Sequence, residues 1–176
     1  MNIIRKATPK DIDAVALIFE HIIEGEENGI CAIGWRRGVY PTRNTAVAAL
    51  EQGDLFVMED CGAVIAAMRL NKEQVSEYKN CQWEYPADDD QVMVMHTLVV
   101  EPFAKKRGYG RKMVAFYEKY ARENNCPYLR MDTNAINVRA RALYKSCGYK
   151  EIGITPCVFN GIPGVNLVCI EKKLDL

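Results

Sequence analysis

Apolar residues recur along the chain at two spacings, one typical of strands and one typical of helices. Residues 2–7 predict a first strand that ends at Thr8. After it, apolar residues recur at intervals of three and four, which predicts an amphipathic helix over residues 9–23. The recurring residues are Ile12, Val15, Phe19 and Ile22. Thr8 suits the N-cap of this helix and Pro9 suits its first turn.

The same two periods predict the later elements. They are a mixed loop at 24–41, a helix from 42 or 44 to 52, strands at 55–59 and 63–70, a loop at 71–90, a strand at 92–100, a helix at 110–124, a strand at 128–133, a helix that Asn134 or Asn137 caps and Gly148 ends, and strands at 149–155 and 165–174. Strands and helices in this order indicate an α/β protein with a mixed sheet and helices on its faces. A chain of 176 residues has the size of one domain, so we expect a single domain over 1–176.

Composition narrows the range of partners and compartments. Lys and Arg together number 23, as do Asp and Glu, so the formal net charge is zero, whereas a nucleic-acid binder has a basic excess. We therefore expect no nucleic-acid partner. The N-terminal residues contain only a short apolar pair, which predicts neither a signal peptide nor a membrane span.

The seven cysteines are scattered along the chain. They form no Cys-x-x-Cys pair and no histidine stands at zinc-ligand spacing, so we predict that no metal is bound. An odd number of scattered cysteines is typical of free thiols that serve as small hydrophobic residues in a reducing compartment. We therefore expect reduced cysteines and a cytoplasmic protein.

A basic, glycine-containing turn joins the predicted strand 92–100 to the helix 110–124. Its residues include Lys105, Lys106, Arg107, Gly108, Tyr109, Gly110 and Arg111. Unpaired N–H groups and the dipole at a helix start attract anions, and glycine lets the backbone approach them closely. The turn therefore favours a pyrophosphate ligand, with a plain basic surface turn as the alternative. Neither the Walker nor the Gly-x-Gly-x-x-Gly pattern is present, because no Gly-Lys-Ser/Thr follows and Met113 takes the place of the last glycine.

Two motifs at matching separation resemble the GNAT superfamily of N-acetyltransferases. The first is Val100-Glu101-Pro102 followed by Lys105-x-x-Gly108-x-Gly110, with Lys105 where Arg or Gln is usual. The second is Asn137-x-x-Ala140-x-x-Leu143-Tyr144-x-x-x-Gly148-Tyr149. The resemblance implies a mixed, mostly antiparallel central sheet of about six to seven strands with helices on both faces. It also implies one acetyltransferase domain that uses acetyl-CoA as co-substrate.

The resemblance also implies roles for named residues. The basic turn would bind the pyrophosphate of CoA, Asn137 and Ala140 would line the pantetheine arm, and Tyr144 would approach the sulfur. Backbone groups of Leu98, Val99 and Val100 would hold the pantetheine amides and polarise the acetyl carbonyl. A core aromatic is the alternative interpretation of Tyr144.

His96 is the candidate general base. An imidazole with pKa ~6.5 suits proton transfer near neutral pH, and some members of the family carry a base histidine at the matching strand position. A buried, hydrogen-bonded histidine is the alternative. Period-two alternation places His96, Leu98 and Val100 on one face of the strand.

The acceptor is predicted from two loops, at 24–41 and 72–91. They carry acidic and aromatic residues, of which the candidates are Glu24, Trp35, Tyr40, Tyr78 and Trp83. Such residues suit a small cationic or amino-acid-like primary amine, to which the acetyl group would be transferred directly. Solvated loop residues, a protein or peptide α-amine acetyltransferase and a non-catalytic acyl-CoA-binding regulatory module are the alternatives. The chain is also compatible with a homodimer.

Overall fold

The structure is a computed structural model that describes residues 2–104 and 107–175, so Lys105 and Lys106 lie outside the described residues. The helices and strands in chain order are β1 (Ile3–Lys6), α1 (Ile12–Glu27), α2 (Arg43–Glu51), β2 (Leu55–Asp60), β3 (Ala63–Asn71), β4 (Val92–Val100), α3 (Tyr109–Glu123), β5 (Tyr128–Asn134), α4 (Val138–Ser146), β6 (Lys150–Phe159) and β7 (Ile162–Lys173).

These strands form one mixed sheet in the order β1-β2-β3-β4-β5-β7-β6. β4 and β5 run parallel, and the other neighbours are antiparallel. Apolar residues of α3 and α4 pack on one face of the sheet, and those of α1 and α2 pack on the other. The predicted mixed, mostly antiparallel sheet with helices on both faces is thereby confirmed. None of the described helices is long and apolar enough to cross a membrane.

The parallel pair at the centre of the sheet separates halfway along. β4 pairs with β5 from Val92 to Met95 and no further, whereas its pairing with β3 continues to Val100. Beyond Met95, the edge of β4 that faces β5 therefore has no strand partner among the described residues. The two diverging strands leave a gap at the middle of the sheet.

A bulge in β4 changes which side chains share a face. Thr97 has a φ of 50°, and the β3–β4 register shifts at the same point. Met95 packs on the α3 side before the bulge, and Leu98 and Val100 pack there after it. The prediction that His96 shares a face with Leu98 and Val100 is therefore wrong, because an extra residue reverses the alternation of a strand.

Two predicted boundaries also need correction. Helix α1 continues to Glu27, so Glu24 lies in a helix rather than in a loop. The last two strands are longer than predicted, and the hairpin turn between them is Asn160-Gly161, with φ values of 50° and 76°. Pro156 lies within β6 because β6 is at the edge of the sheet, where a residue without an N–H is tolerated.

The expectation that all seven cysteines are free thiols is wrong for two of them. Cys81 and Cys169 form a disulfide between the loop after β3 and strand β7, with their Cα atoms 6.6 Å apart. The two residues are 88 positions apart in the chain, and only the packing of the loop over β7 brings them together. Sequence spacing could not indicate this pairing.

A buried carboxylate joins the first strand to the first helix. Asp11 is 6% exposed and accepts hydrogen bonds from both terminal nitrogens of Arg5, at 2.8 and 2.9 Å. It also accepts bonds from the backbone N and the hydroxyl of Thr8, at 2.7 and 2.9 Å. The Arg5 guanidinium holds the pKa of Asp11 well below its usual range.

Asp11→Ala should therefore lower the free energy of unfolding at pH 7 by about 2–3 kcal/mol, since it removes this network and leaves Arg5 without its main partner. Because the folded pKa is depressed, the contribution is present above the unfolded carboxyl pKa of ~3.9 and is lost as pH falls toward the folded value. Urea unfolding at pH 7 and pH 3 measures both effects, and the loss should be smaller at pH 3. Asp13→Ala, which breaks an exposed pair with Arg43, is the control; equal losses in the two variants would contradict the prediction.

Candidate active site

The gap between β4 and β5 is a slot of about 100 Å³. Its walls include Met95, Thr97, Leu98, Asp132, Thr133, Asn134, Asn137, Ala140 and Tyr144. On the β4 side, the backbone of residues 97–100 has no β5 partner, so those of its polar groups that face away from β3 are available to an extended ligand with amides of its own. This stretch contains the predicted Leu98, Val99 and Val100.

The start of α3 lies against the end of β4 and against α4. A Cβ placed at Gly110 would lie 3.1 Å from Leu143 and 4.0 Å from Val100, so this glycine permits close packing of the three elements. Gly108 caps α3 with a φ of 71°, a conformation that glycine adopts without strain. The first N–H groups of α3 therefore point outward from the turn beside the slot.

Three predicted residues of the turn make contacts within the protein. Arg107 is exposed and its Nη1 lies 3.7 Å from Oδ2 of Asp60. The buried Tyr109 donates its hydroxyl to the same carboxylate at 2.6 Å. Arg111 donates to the hydroxyl of Ser146 at the end of α4, at 2.8 Å. Arg107 and Arg111 stay exposed beside the start of α3, whereas the side chain of Tyr109 is turned inward.

Helix α4 brings three predicted residues to the slot. Asn137 caps the helix, its side-chain oxygen accepting from the Ala140 N–H at 3.2 Å, which leaves its amide nitrogen as a donor. Ala140 and Tyr144 follow along the same wall. Burial, and next the charge of Asp132, raise the pKa of Tyr144, so its hydroxyl stays protonated and can act as a donor.

A second cavity, here called the side cavity, adjoins the slot and has a volume of about 270 Å³. It is lined by Tyr40, Thr45, Ala48, Ala49, Gln52, Arg69, Glu73, Val75, Met95, His96, Thr97, Asp132, Phe159 and Asn160. The slot and the side cavity share Asp132, Tyr40, Thr97 and three further residues, so they meet at this point. A cavity of this size suits a small molecule.

The structure places His96 in the side cavity only. Its Nε2 lies 2.9 Å from the side-chain oxygen of Asn71. Burial, and next the charge of Arg69, lower the pKa of His96 to about 4. The imidazole is therefore neutral at pH 7 and a weak proton acceptor.

Two of the five predicted acceptor residues line the slot, and the other three line neither cavity. Trp35 and Tyr40 line the slot, Tyr40 with its hydroxyl hydrogen-bonded to Thr97, and burial raises the pKa of Tyr40 to about 12. Tyr78 is buried behind the slot wall and donates to Asp132 at 2.7 Å. Glu24 and Trp83 line neither cavity; the ring of Trp83 instead lies 4.2 Å from the guanidinium of Arg130.

Two further acidic residues contribute to the site: Glu26 belongs to the predicted acidic segment 24–41, whereas Asp132 was not predicted. Glu26 accepts the backbone N–H groups of Ile33, Gly34 and Trp35 at 3.0, 2.7 and 3.3 Å, and so holds the loop that carries Trp35. Asp132 lies where the two cavities meet, and burial raises its pKa to about 6. The sequence signal for Asp132 was an acidic residue within strand β5, five residues before Asn137.

Comparison of the sequence with models of known protein families identifies the family of this chain. The model of the acetyltransferase (GNAT) family matches residues 23–149. The chain belongs to this family. Its sequence and its fold are therefore those of an acetyltransferase. The uncharacterized N-acetyltransferase YhfO of Bacillus subtilis is 32% identical over 60 residues, which span 34% of this chain and only 40% of that relative.

Solved structures of GNAT proteins share the fold over nearly the whole chain. A GNAT-family acetyltransferase from Streptococcus agalactiae superposes with a TM-score of 0.82 at 20% identity, covering 99% of this chain and 96% of that one. The yncA protein of Salmonella typhimurium, solved with its cofactor acetyl-CoA, has a TM-score of 0.71 at 19% identity and covers 100% and 95% of the two chains. At these identities the likeness shows the fold alone.

Two glycines in the loop that closes the slot provide a matched test of this geometry. Gly34 and Gly38 both have positive φ, but a Cβ at Gly34 would clash with the side-chain nitrogen of Asn134, whereas a Cβ at Gly38 meets no described atom within 4 Å. Gly34→Ala should therefore push Asn134 into the slot and weaken acetyl-CoA binding by about tenfold or more. Calorimetric titration with acetyl-CoA measures the effect, and Gly38→Ala, which carries the same backbone strain, should leave the affinity unchanged. Equal affinities in the two variants would contradict this account of the slot.

Proposed function

We propose that this protein is an acetyl-CoA-dependent N-acetyltransferase that transfers the acetyl group directly to the primary amine of a small cationic acceptor. Acetyl-CoA would occupy the slot, with its pyrophosphate at the start of α3. The amine would enter from the side cavity. The same proposal includes one acetyltransferase domain over 1–176; the cytoplasmic location and the homodimer stay predictions.

The observation that supports the proposed acceptor class is the contact between the loop after α1 and the β6–β7 hairpin. The tip of the β6–β7 hairpin meets the loop after α1, where a Cβ at Gly161 would lie 3.4 Å from Val39. Tyr40 from that loop and Phe159 from that hairpin pack in the same apolar cluster. An extended polypeptide needs an open groove between these two segments, so their contact favours a small acceptor.

Charge and aromatic rings support a cationic acceptor. The side cavity is lined by the carboxylates of Glu73 and Asp132 and by the guanidinium of Arg69. The Arg69 guanidinium donates a hydrogen bond to Glu73 at 2.7 Å. Arg69 also lies 3.6 Å from Asp54. Trp35 and Tyr40 add ring faces at the slot, which attract an ammonium group.

The chemistry requires more help with the amine than with the thiol. A lysine-like amine has a pKa of ~10.4, so its free base at pH 7 costs about 4–5 kcal/mol, whereas an alkyl thiol leaves with a pKa near ~8.5. In the proposed mechanism the backbone N–H groups along residues 97–100 polarise the acetyl carbonyl, and the protonated Tyr144 hydroxyl donates toward the sulfur. A group that accepts the proton of the amine then has the larger effect on the rate.

The direct test has two stages. Purified protein is first titrated with acetyl-CoA, and thiol release is then followed with a panel of diamines, polyamines, amino acids and a peptide with a free α-amine. We expect release that depends on a small cationic amine. Release with the peptide alone would establish the peptide α-amine alternative, and binding of acetyl-CoA without acceptor-dependent release would favour the non-catalytic module.

A variant that fills the side cavity tests where the acceptor binds. Ala48 lines this cavity from α2, so Ala48→Trp should raise the KM for the amine by about tenfold or more while the affinity for acetyl-CoA stays the same. Steady-state kinetics with the best amine of the panel measure the change. Ala115→Trp places the same side chain on the exposed side of α3 and should change neither constant. An unchanged KM in Ala48→Trp would exclude the side cavity as the acceptor site.

A further inference from the structure

One group that ionises near neutral pH lies where the slot and the side cavity meet. The residues common to the two linings are Tyr40, Met95, Thr97, Asp132, Phe159 and Asn160. Asp132 is the one acid or base among them that ionises near neutral pH, since Tyr40 stays protonated well above it. Transfer of the acetyl group must take place where a ligand in one cavity can reach a ligand in the other.

The protein holds the carboxylate of Asp132 in place through only one of its two oxygens. Oδ2 accepts the hydroxyl of the buried Tyr78 at 2.7 Å. Oδ1 has no hydrogen-bond partner in residues 2–104 and 107–175, and the residue lines both cavities. One oxygen is thus anchored, and the other is available to a ligand.

We propose that Asp132 is the group that accepts the proton of the acceptor amine, with Tyr78 as its positioning residue. The proposal rests on the proposed function, because it assigns a step of that reaction. The incoming ammonium gives one proton to Oδ1 of Asp132. The freed lone pair forms the N–C bond with the acetyl carbon, the electron pair of the C–S bond leaves with sulfur, and a second proton of the nitrogen ends on the sulfur. The products are the amide, the CoA thiol and protonated Asp132, which returns its proton to water.

The position of Asp132 suits this step better than that of His96. His96 lines the side cavity but not the slot, and its Nε2 is engaged with Asn71. Burial lowers the pKa of the imidazole to about 4, whereas burial raises the pKa of Asp132 to about 6 against the opposing hydrogen bond from Tyr78. A proton acceptor works best when its pKa is near the operating pH, and Asp132 is the closer of the two.

Several ionisable groups surround Asp132 and must be considered in any pH profile. They are Glu77 and Tyr78 of the loop after β3, Tyr40 of the loop after α1, Tyr144 of α4 and Cys157 of β6. Arg69, Glu73 and His96 share the side cavity with Asp132. Burial raises the pKa of Tyr40, Tyr78, Tyr144 and Cys157, so these groups stay neutral on the acid side. Glu77 repels the charge of Asp132 and raises its pKa.

The test is the pH dependence of kcat at saturating amine and acetyl-CoA. In the wild type, kcat should rise with pH through an acid limb with its midpoint near the pKa of Asp132 and then reach a plateau, since the carboxylate must be ionised to accept a proton. Asp132→Asn should lower plateau kcat by about 10²-fold or more and abolish the limb, while the affinity for acetyl-CoA stays within about twofold. His96→Gln should keep the limb. Asp88→Asn changes an exposed residue that lines neither cavity, so its kcat and its pH profile should match those of the wild type.

A second variant covers the case in which Asp132→Asn fails to fold. Tyr78→Phe removes the hydrogen bond that lowers the pKa of Asp132, so its acid limb should move to higher pH by roughly half a unit or more, with kcat largely recovered above it. A residue that only supports the fold would lower kcat at every pH without moving the limb. An acid limb that stays in place in Tyr78→Phe, or that persists in a folded Asp132→Asn, would overturn the proposal.

The outcomes distinguish failure of the proposed function from failure of the role assigned to Asp132. A wild-type protein that releases no thiol with any amine would defeat the proposed function itself. An active wild type whose acid limb is lost in His96→Gln and kept in Asp132→Asn would defeat only the assignment of Asp132.

Discussion

The site depends on the separation of β4 from β5 after Met95. A parallel pair normally continues its ladder, and ending it early leaves backbone groups of β4 without strand partners among the described residues at the centre of the sheet. The bulge at Thr97 accompanies this break and turns the following residues over, so that Leu98 faces the α3 side while His96 faces the side cavity. An extended ligand with amides can occupy the place of the missing strand partner. The gap that interrupts the sheet therefore leaves room for such a ligand.

The loop that lies behind the wall of this gap is held by buried charges. Arg130 and Glu171 are 5% and 2% exposed. Arg130 donates to the carbonyl of Tyr85 at 2.9 Å, and Glu171 accepts the N–H of Glu84 at 2.6 Å, so both charges anchor the loop after β3. This loop carries Tyr78. Isolated charges in a low-dielectric interior are costly. Here their hydrogen bonds to the loop backbone offset that cost and fix the position of the loop.

Residues whose roles depend on local backbone geometry could be predicted from the sequence. Gly108 caps a helix after a strand, and Asn137 caps the next one, both by short-range hydrogen bonding or backbone conformation. The three- and four-residue spacing likewise placed Ala140 and Tyr144 on one wall. His96 shows the limit of such reasoning, because a single bulge reversed its face.

The sequence by itself determined the family, the order of strands and helices and the turn that begins α3, because each is encoded by residues close together in the chain. Tertiary structure alone decided the Cys81–Cys169 disulfide, the closure of the hairpin over the loop after α1 and the meeting of both cavities at Asp132. These features join segments far apart in sequence, and they arise from how the sheet twists and where its strands part. The chain pattern carries no local signal for such contacts.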